Sequence, residues 1–115
     1  MNNFSSFLTH YSTYILKKKL KHLILHVTNH CNFRCSHCFV DFETPKKDMT
    51  FSDYQEISNN INNLFWLDIG GGEPFLRNDL YKIVNLFKKQ ILSIPTNGWL
   101  KVNIVDQINN MDKIF

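Results

Sequence analysis

The chain has 115 residues, is 43% hydrophobic and 14% aromatic, and carries a formal net charge of +3. That length holds one domain at most, the apolar content excludes a disordered chain, and so small a charge calls for no nucleic-acid partner. No secretory leader or bilayer span is expected. The lysines at 17, 18, 19 and 21 follow the first apolar run instead of preceding it, and Asn2, Asn3, Ser5, Ser6, Thr9, His10 and Ser12 interrupt that run. A cytoplasmic, reducing location is the expectation, and it suits free thiols.

Taken in order, Phe4, Leu8, Tyr11 and Ile15 recur at helical spacing and predict an amphipathic helix from about Asn3 to Lys19. Residues 1–20 are read as this helix, packed over the end of a main domain at 21–115. Its polar face carries too little charge for a membrane surface, and the lysines at its end are read as solvated and complementary to the helix dipole. Leu23 to Thr28 is short, apolar and stopped by Asn29, which predicts a first strand. His26 within it is read as a barrel-lining or capped polar residue and not a ligand.

Every cysteine of the chain then falls within eight residues, Cys31, Cys35 and Cys38, in the spacing C-x3-C-x2-C. Three thiols cannot pair off into disulfides, but they can converge on one metal centre, and thiolates are the usual ligands of iron–sulfur clusters and zinc. A zinc site completed by His30 or His37 is the alternative, although zinc sites favour C-x2-C pairs. A four-iron cubane held by three thiolates leaves one iron open to a small molecule. Following strand one directly, the loop sits at a strand's carboxyl end, where α/β folds place their chemistry.

A polar connector from Val40 to Met49 leads to Thr50-x-x-Asp53, a capping-box-like helix start. Tyr54, Ile57, Ile61 and Leu64 mark the buried stripe of helix one; the asparagines at 59, 60, 62 and 63 are weak helix formers, so packing must hold it. Phe65 to Ile69 reads as strand two. Alternation puts Phe65, Leu67 and Ile69 on one face and Trp66 and Asp68 on the other; with the apolar face against the helices Asp68 points toward the barrel interior, and a solvated or hydrogen-bonded structural Asp is the equal alternative. Gly70-Gly71-Gly72-Glu73-Pro74 ends the strand, where glycine lets backbone approach a ligand closely. Exposed backbone groups there, with the charge of Glu73, suit a cationic ammonium. Asn78 is placed as the cap of helix two, with Leu80, Ile83, Val84 and Phe87 as its core stripe. Ile91 to Ile94 predicts strand three, ending in the turn Pro95-Thr96-Asn97-Gly98. Trp99 to Met111 predicts helix three, anchored by Ile104, Ile108 and Met111, and Lys113 to Phe115 reads as the start of a fourth strand.

Strands alternating with helices imply a parallel sheet with right-handed crossovers. The C-x3-C-x2-C loop and the Gly71-Gly72-Glu73-Pro74 segment after strand two together resemble the radical S-adenosylmethionine (radical SAM) superfamily. The resemblance runs from Leu23 onward and covers about half of that family's partial (βα)6 barrel. It implies an α/β, TIM-like core of about three βα units. It further implies that Cys31, Cys35 and Cys38 hold three irons of a [4Fe–4S] cluster and that S-adenosylmethionine (SAM) binds the fourth. Gly71, Gly72 and Glu73 would receive the SAM amino group. His37 stands where relatives carry an aromatic residue that contacts the adenine, and Thr96 and Asn97 face the SAM and substrate side. Gly70 departs from the Ser or Thr of many relatives without altering the backbone role. An external one-electron donor reduces the cluster, SAM is cleaved, and the 5′-deoxyadenosyl radical takes hydrogen from a substrate that the sequence does not identify. The missing later strands imply either a partner that completes the barrel or a truncated chain. The rival class is a non-catalytic metal-binding module: an inactive half barrel, an electron-transfer protein or a zinc protein.

Overall fold

The computed structural model describes residues 5, 8, 9, 11, 12, 21–44, 46–61 and 63–112. Three parallel strands, β1 (His22–Thr28), β2 (Trp66–Gly71) and β3 (Ile91–Ser93), form one sheet in the order β1-β2-β3. Between them run the helices α1 (Phe51–Asn60) and α2 (Leu80–Leu86), and α3 (Lys101–Asn109) follows β3. A short 3-10 turn at Pro74–Leu76 follows β2. The fold class is therefore α/β with a parallel sheet, compatible with part of a β/α barrel.

The alternation read in the sequence decides which face is covered. Leu25, Val27, Leu67, Ile69 and Leu92 are buried, and with Tyr54, Leu80, Ile83, Val84 and Phe87 they form the core between sheet and helices. The opposite face carries Ile24, Trp66, His26 and Asp68, with Ile24 60% and Trp66 40% exposed. One side of the sheet is thus sealed, and the other is open along its length.

Local chemistry explains the helix boundaries. Thr50 caps α1 with a complete capping box: Asp53 N–H donates to Thr50 Oγ1, and Thr50 N–H donates to Asp53 Oδ2 at 2.6 Å. Helix α1 ends at Asn60, so Leu64 is buried from the loop beyond it, and β2 begins at Trp66 with Phe65 half-buried before it. The cap of α2 differs from expectation. Asp79, not Asn78, occupies the cap position and makes no side-chain cap bond, because its carboxylate is gripped by Arg77 Nε at 2.7 Å and Nη2 at 3.2 Å. Helix α3 begins at Lys101, two residues later than expected, since Trp99 N–H is taken by Asn97 Oδ1 in a turn. Ile108 is 45% exposed and not the buried anchor expected; Gln107 is buried instead, donating to Phe75 O and Arg77 O and accepting from Tyr81 N–H.

Of the expected amino-terminal helix, Ser5, Leu8, Thr9, Tyr11 and Ser12 are helical, and Leu8 and Tyr11 stand 49% and 56% exposed. Its other residues, and the fourth strand expected at Lys113 to Phe115, lie outside the described residues. Among the described residues, no helix is long and apolar enough to cross a membrane.

Candidate active site

The three segments that leave the carboxyl ends of the strands meet around one cavity of about 720 Å³. Cys31, Cys35 and Cys38 border it from the first loop, Gly70 to Glu73 from the second, and Thr96 and Asn97 from the third; Ile24, His26, Asp68 and Ser93 line it from the open sheet face.

Backbone packing explains the glycines between the first two loops. Gly72 N–H donates to Thr28 O and Glu73 N–H donates to His30 O, both at 2.9 Å. A Cβ on Gly72 would stand 2.2 Å from His30 O and 3.0 Å from Cys31 Cβ. Gly71 has φ of 130°, a backbone region that favours glycine, and a Cβ there would lie 2.2 Å from Thr28 O. The second loop therefore lies flush against the start of the cysteine loop.

Glu73 joins the second loop to the third. Its side chain is buried, and both oxygens are engaged. Oε1 accepts from Thr96 Oγ1 at 2.8 Å and from Phe75 N–H at 3.1 Å, and Oε2 accepts from Asn97 N–H at 2.8 Å. Asn97 Nδ2 in turn donates to Asn32 Oδ1 of the cysteine loop at 2.9 Å. The three loops are thus linked in a closed circuit of hydrogen bonds.

Two further carboxylates flank the site. Burial pushes the Asp48 carboxyl up, but hydrogen bonds from Thr28 Oγ1 at 2.6 Å and from Asn29 N–H at 2.9 Å outweigh it and hold the group below the usual range. Asp48 thereby pins the connector to the end of β1. Asp68 is held low chiefly by the Ser93 hydroxyl, then by the Trp66 indole N–H at 2.8 Å, with His22 Nε2 at 2.7 Å on its other oxygen. Arg34 Nη1 donates to Cys31 O and Phe33 O, and its guanidinium stacks 4.2 Å from the Phe42 ring, so it curls the loop and lies outside the cavity lining.

Thiolates are the donor type that iron–sulfur clusters take. All three cysteines are free thiols bordering one cavity, and Cys38 N–H donates to Cys35 O, curling the loop. Among the described residues, no group of three or more His, Cys, Asp or Glu side chains stands close enough to hold a metal ion, so the thiols border the cavity without converging.

The comparisons bear on this arrangement. The chain is 38% identical over 84 residues to an S-adenosylmethionine-dependent nucleotide dehydratase of Selenomonas ruminantium, a match covering 69% of this chain and 30% of that protein. It is 34% identical over 91 residues to a GTP 3′,8-cyclase of Psychromonas ingrahamii, covering 71% of the chain and 27% of the cyclase. A GTP 3′,8-cyclase of Staphylococcus carnosus is 33% identical over 99 residues, covering 74% and 29%. These relatives are radical SAM enzymes. The chain spans less than a third of the length of each of these three proteins. No family model matches it, and no solved structure does.

The resemblance to radical SAM enzymes singled out nine residues, and eight of them, Cys31, Cys35, Cys38, Gly71, Gly72, Glu73, Thr96 and Asn97, border one cavity. The ninth, His37, is exposed and outside the lining. His26 lines the cavity as the strand pattern indicates and lies 5.9 Å from the Phe39 ring, centroid to centroid. Sequence reasoning passed over Asn32 and Ser93. Asn32 differs in no visible way from the other asparagines of the chain, whereas the alternation of strand three could have placed Ser93 beside Asp68 on the open face.

Proposed function

We propose that the chain is the amino-terminal part of the core of a radical SAM enzyme, with residues 21–115 as the incomplete core domain and residues 1–20 as a helix appended to it. The observation that carries this reading is the convergence of the cysteine loop, the Gly70–Glu73 segment and the Thr96–Asn97 turn on one cavity at the carboxyl end of a parallel sheet. Cys31, Cys35 and Cys38 would ligate a [4Fe–4S] cluster. When bound, the cluster supplies one electron for the reductive cleavage of SAM, and the hydrogen-abstracting power of the enzyme comes from that cleavage.

The chain's own residues bind and orient. Gly71 and Gly72 carry no side chain, so their backbone groups can face the ammonium of SAM at close range. Glu73 acts as a positioning residue, holding the second and third loops at fixed separation. Phe33 and Phe39 border the cavity beside the cysteine loop and would shield a bound cluster from water. His37, from its exposed place, would reach the adenine only by turning inward or through its backbone. The one-electron donor is external, and the remainder of the barrel comes from a partner or from further chain.

The test is anaerobic reconstitution with iron and sulfide, followed by EPR of the reduced protein with and without SAM. A [4Fe–4S]⁺ signal that shifts on adding SAM, with release of 5′-deoxyadenosine, is the expected outcome. A cluster signal indifferent to SAM would favour a non-catalytic electron-transfer module, and bound zinc in place of a cluster would overturn the reading. Cys35→Ala should abolish the intact four-iron cluster with most helical content retained; a full complement of iron and sulfide in that variant would remove Cys35 from the ligand set.

A further inference from the structure

Apart from the imidazole of His26, the cavity lining offers no basic side chain. It contains two carboxylates, Asp68 and Glu73, and neither lysine nor arginine. Glu73 is consumed by the loop circuit, so Asp68 is the anion that a ligand can meet. It lies in the middle of β2 on the open sheet face, three residues before Gly71, and a strand rises about 3.3 Å per residue. Its carboxylate therefore stands roughly 10 Å from the loop read as the SAM amino site. That places it on the floor of the cavity, where the group presented to the radical would extend.

Asp68 is also rigid. Trp66 Nε1 and Ser93 Oγ both donate to Oδ1, and His22 Nε2 meets Oδ2. A carboxylate offers about four acceptor positions. Three are used, which leaves one on Oδ2. Among the described residues, the one nitrogen base against the group is His22, which is 53% exposed at the start of β1. Fixed carboxylates in a lining without lysine or arginine raise the local concentration of cations and repel phosphates.

We infer that Asp68 is a specificity-determining residue, and that the substrate presents a positively charged nitrogen, an ammonium or a guanidinium, to the cavity floor instead of a phosphate. This rests on the reading of the cavity as a SAM and substrate site. It separates the chain from the relatives whose names specify a nucleotide or GTP as substrate.

The test uses the whole 115-residue chain without cluster, labelled with ¹⁵N. The chain has two tryptophans, so two indole N–H signals report independently: Trp66, bonded to Asp68, and Trp99, which is 70% exposed. Agmatine, which carries both cationic groups, serves as the probe, and inorganic tripolyphosphate as its anionic counterpart. Agmatine should move the Trp66 signal saturably and leave Trp99 nearly still, while tripolyphosphate moves neither. Asp68→Asn, of unchanged shape, should weaken agmatine about tenfold. The proposal fails if tripolyphosphate saturates the Trp66 shift, if agmatine leaves Trp66 unmoved in the wild-type chain, or if Asp68→Asn binds agmatine as tightly. The wild-type titrations decide the matter even where the variant does not fold. The EPR response to SAM belongs to the cysteine loop: a chain that answers SAM but not agmatine loses only the Asp68 assignment, and one that answers agmatine but not SAM loses the enzyme reading.

Discussion

Removing the Glu73 carboxylate would leave Phe75 N–H, Thr96 O–H and Asn97 N–H without their acceptor, in a place where Glu73 itself is only 1% exposed. Hydrogen bonds to an ionised group contribute about 1.5–3 kcal/mol, and an orphaned buried donor adds its own desolvation cost. Glu73→Ala should destabilise the chain by about 3 kcal/mol, read as a lower urea midpoint. Glu73→Gln should lose less but still loosen the third loop, because one end of the amide is a donor facing a donor. Gly72→Ala is a backbone matter: the added methyl meets the His30 carbonyl at 2.2 Å, so the second loop must lift from the first, at a cost of about 2–3 kcal/mol in the same assay. At this scale the sequence was partly legible. Cysteine spacing singled out a metal loop, and period-two alternation aimed Asp68 into the cavity. The bonds of Glu73 were not legible, because its partners Thr96 and Asn97 lie 23 and 24 residues away and no local pattern encodes so distant an acceptor.

Helix boundaries show where local rules suffice and where tertiary contacts override them. The Thr50–Asp53 capping box is written within four residues and forms as read; Thr50→Ala should cost about 1 kcal/mol by thermal or urea unfolding. Helix α2 obeys a different logic. Arg77 clamps Asp79 and also donates from Nη1 to Val27 O at 2.7 Å, so the entry to α2 is tied to β1 across 50 residues. Cap preferences favour Asn78, but they carry no information about a cation fixed from another strand. The same clamp gives a pH dependence. Hydrogen bonding to Arg77, together with its charge, holds the Asp79 carboxyl below its ordinary value against burial, which raises it. A depressed folded pKa stabilises the native state fully above the unfolded value near 4, and that contribution is lost as pH falls through the folded value. Stability should therefore drop as the pH falls below about 5, and Asp79→Asn should show a shallower drop there. Helix α3 defeated its pattern for another reason. Gln107 is buried with its amide fully used, and a satisfied buried amide reads as a surface residue in any apolar-periodicity count.

For the molecule as a whole, three strands with one sealed face leave much apolar surface open. Ile24 and Trp66 are exposed on the sheet, Trp99 and Val102 stand 70% and 85% exposed beyond β3, and Ile108 borders an apolar groove with Phe75, Leu92, Ile94, Ile104 and Met111. Among the described residues, the strand order also leaves β1 and β3 as edges. Exposed edges and apolar patches of this kind favour association. The isolated chain should self-associate, with a mass by light scattering that rises with concentration; a monodisperse monomer throughout would contradict this. The alternation of strands and helices made the parallel α/β arrangement readable from the sequence, whereas what covers the open face is not encoded in the packing of these residues against one another.

The hydrogen-bonded circuit among the three loops has a consequence for any molecule that enters the cavity. A wall whose loops are already fastened to each other loses little conformational freedom when it is occupied, so the ligand's contacts need not offset the ordering of its own site. Asn32, Asn97 and Glu73 would then govern affinity through the fastening itself. Cutting one fastening would appear as an entropic penalty in calorimetry, with the contact enthalpy nearly unchanged.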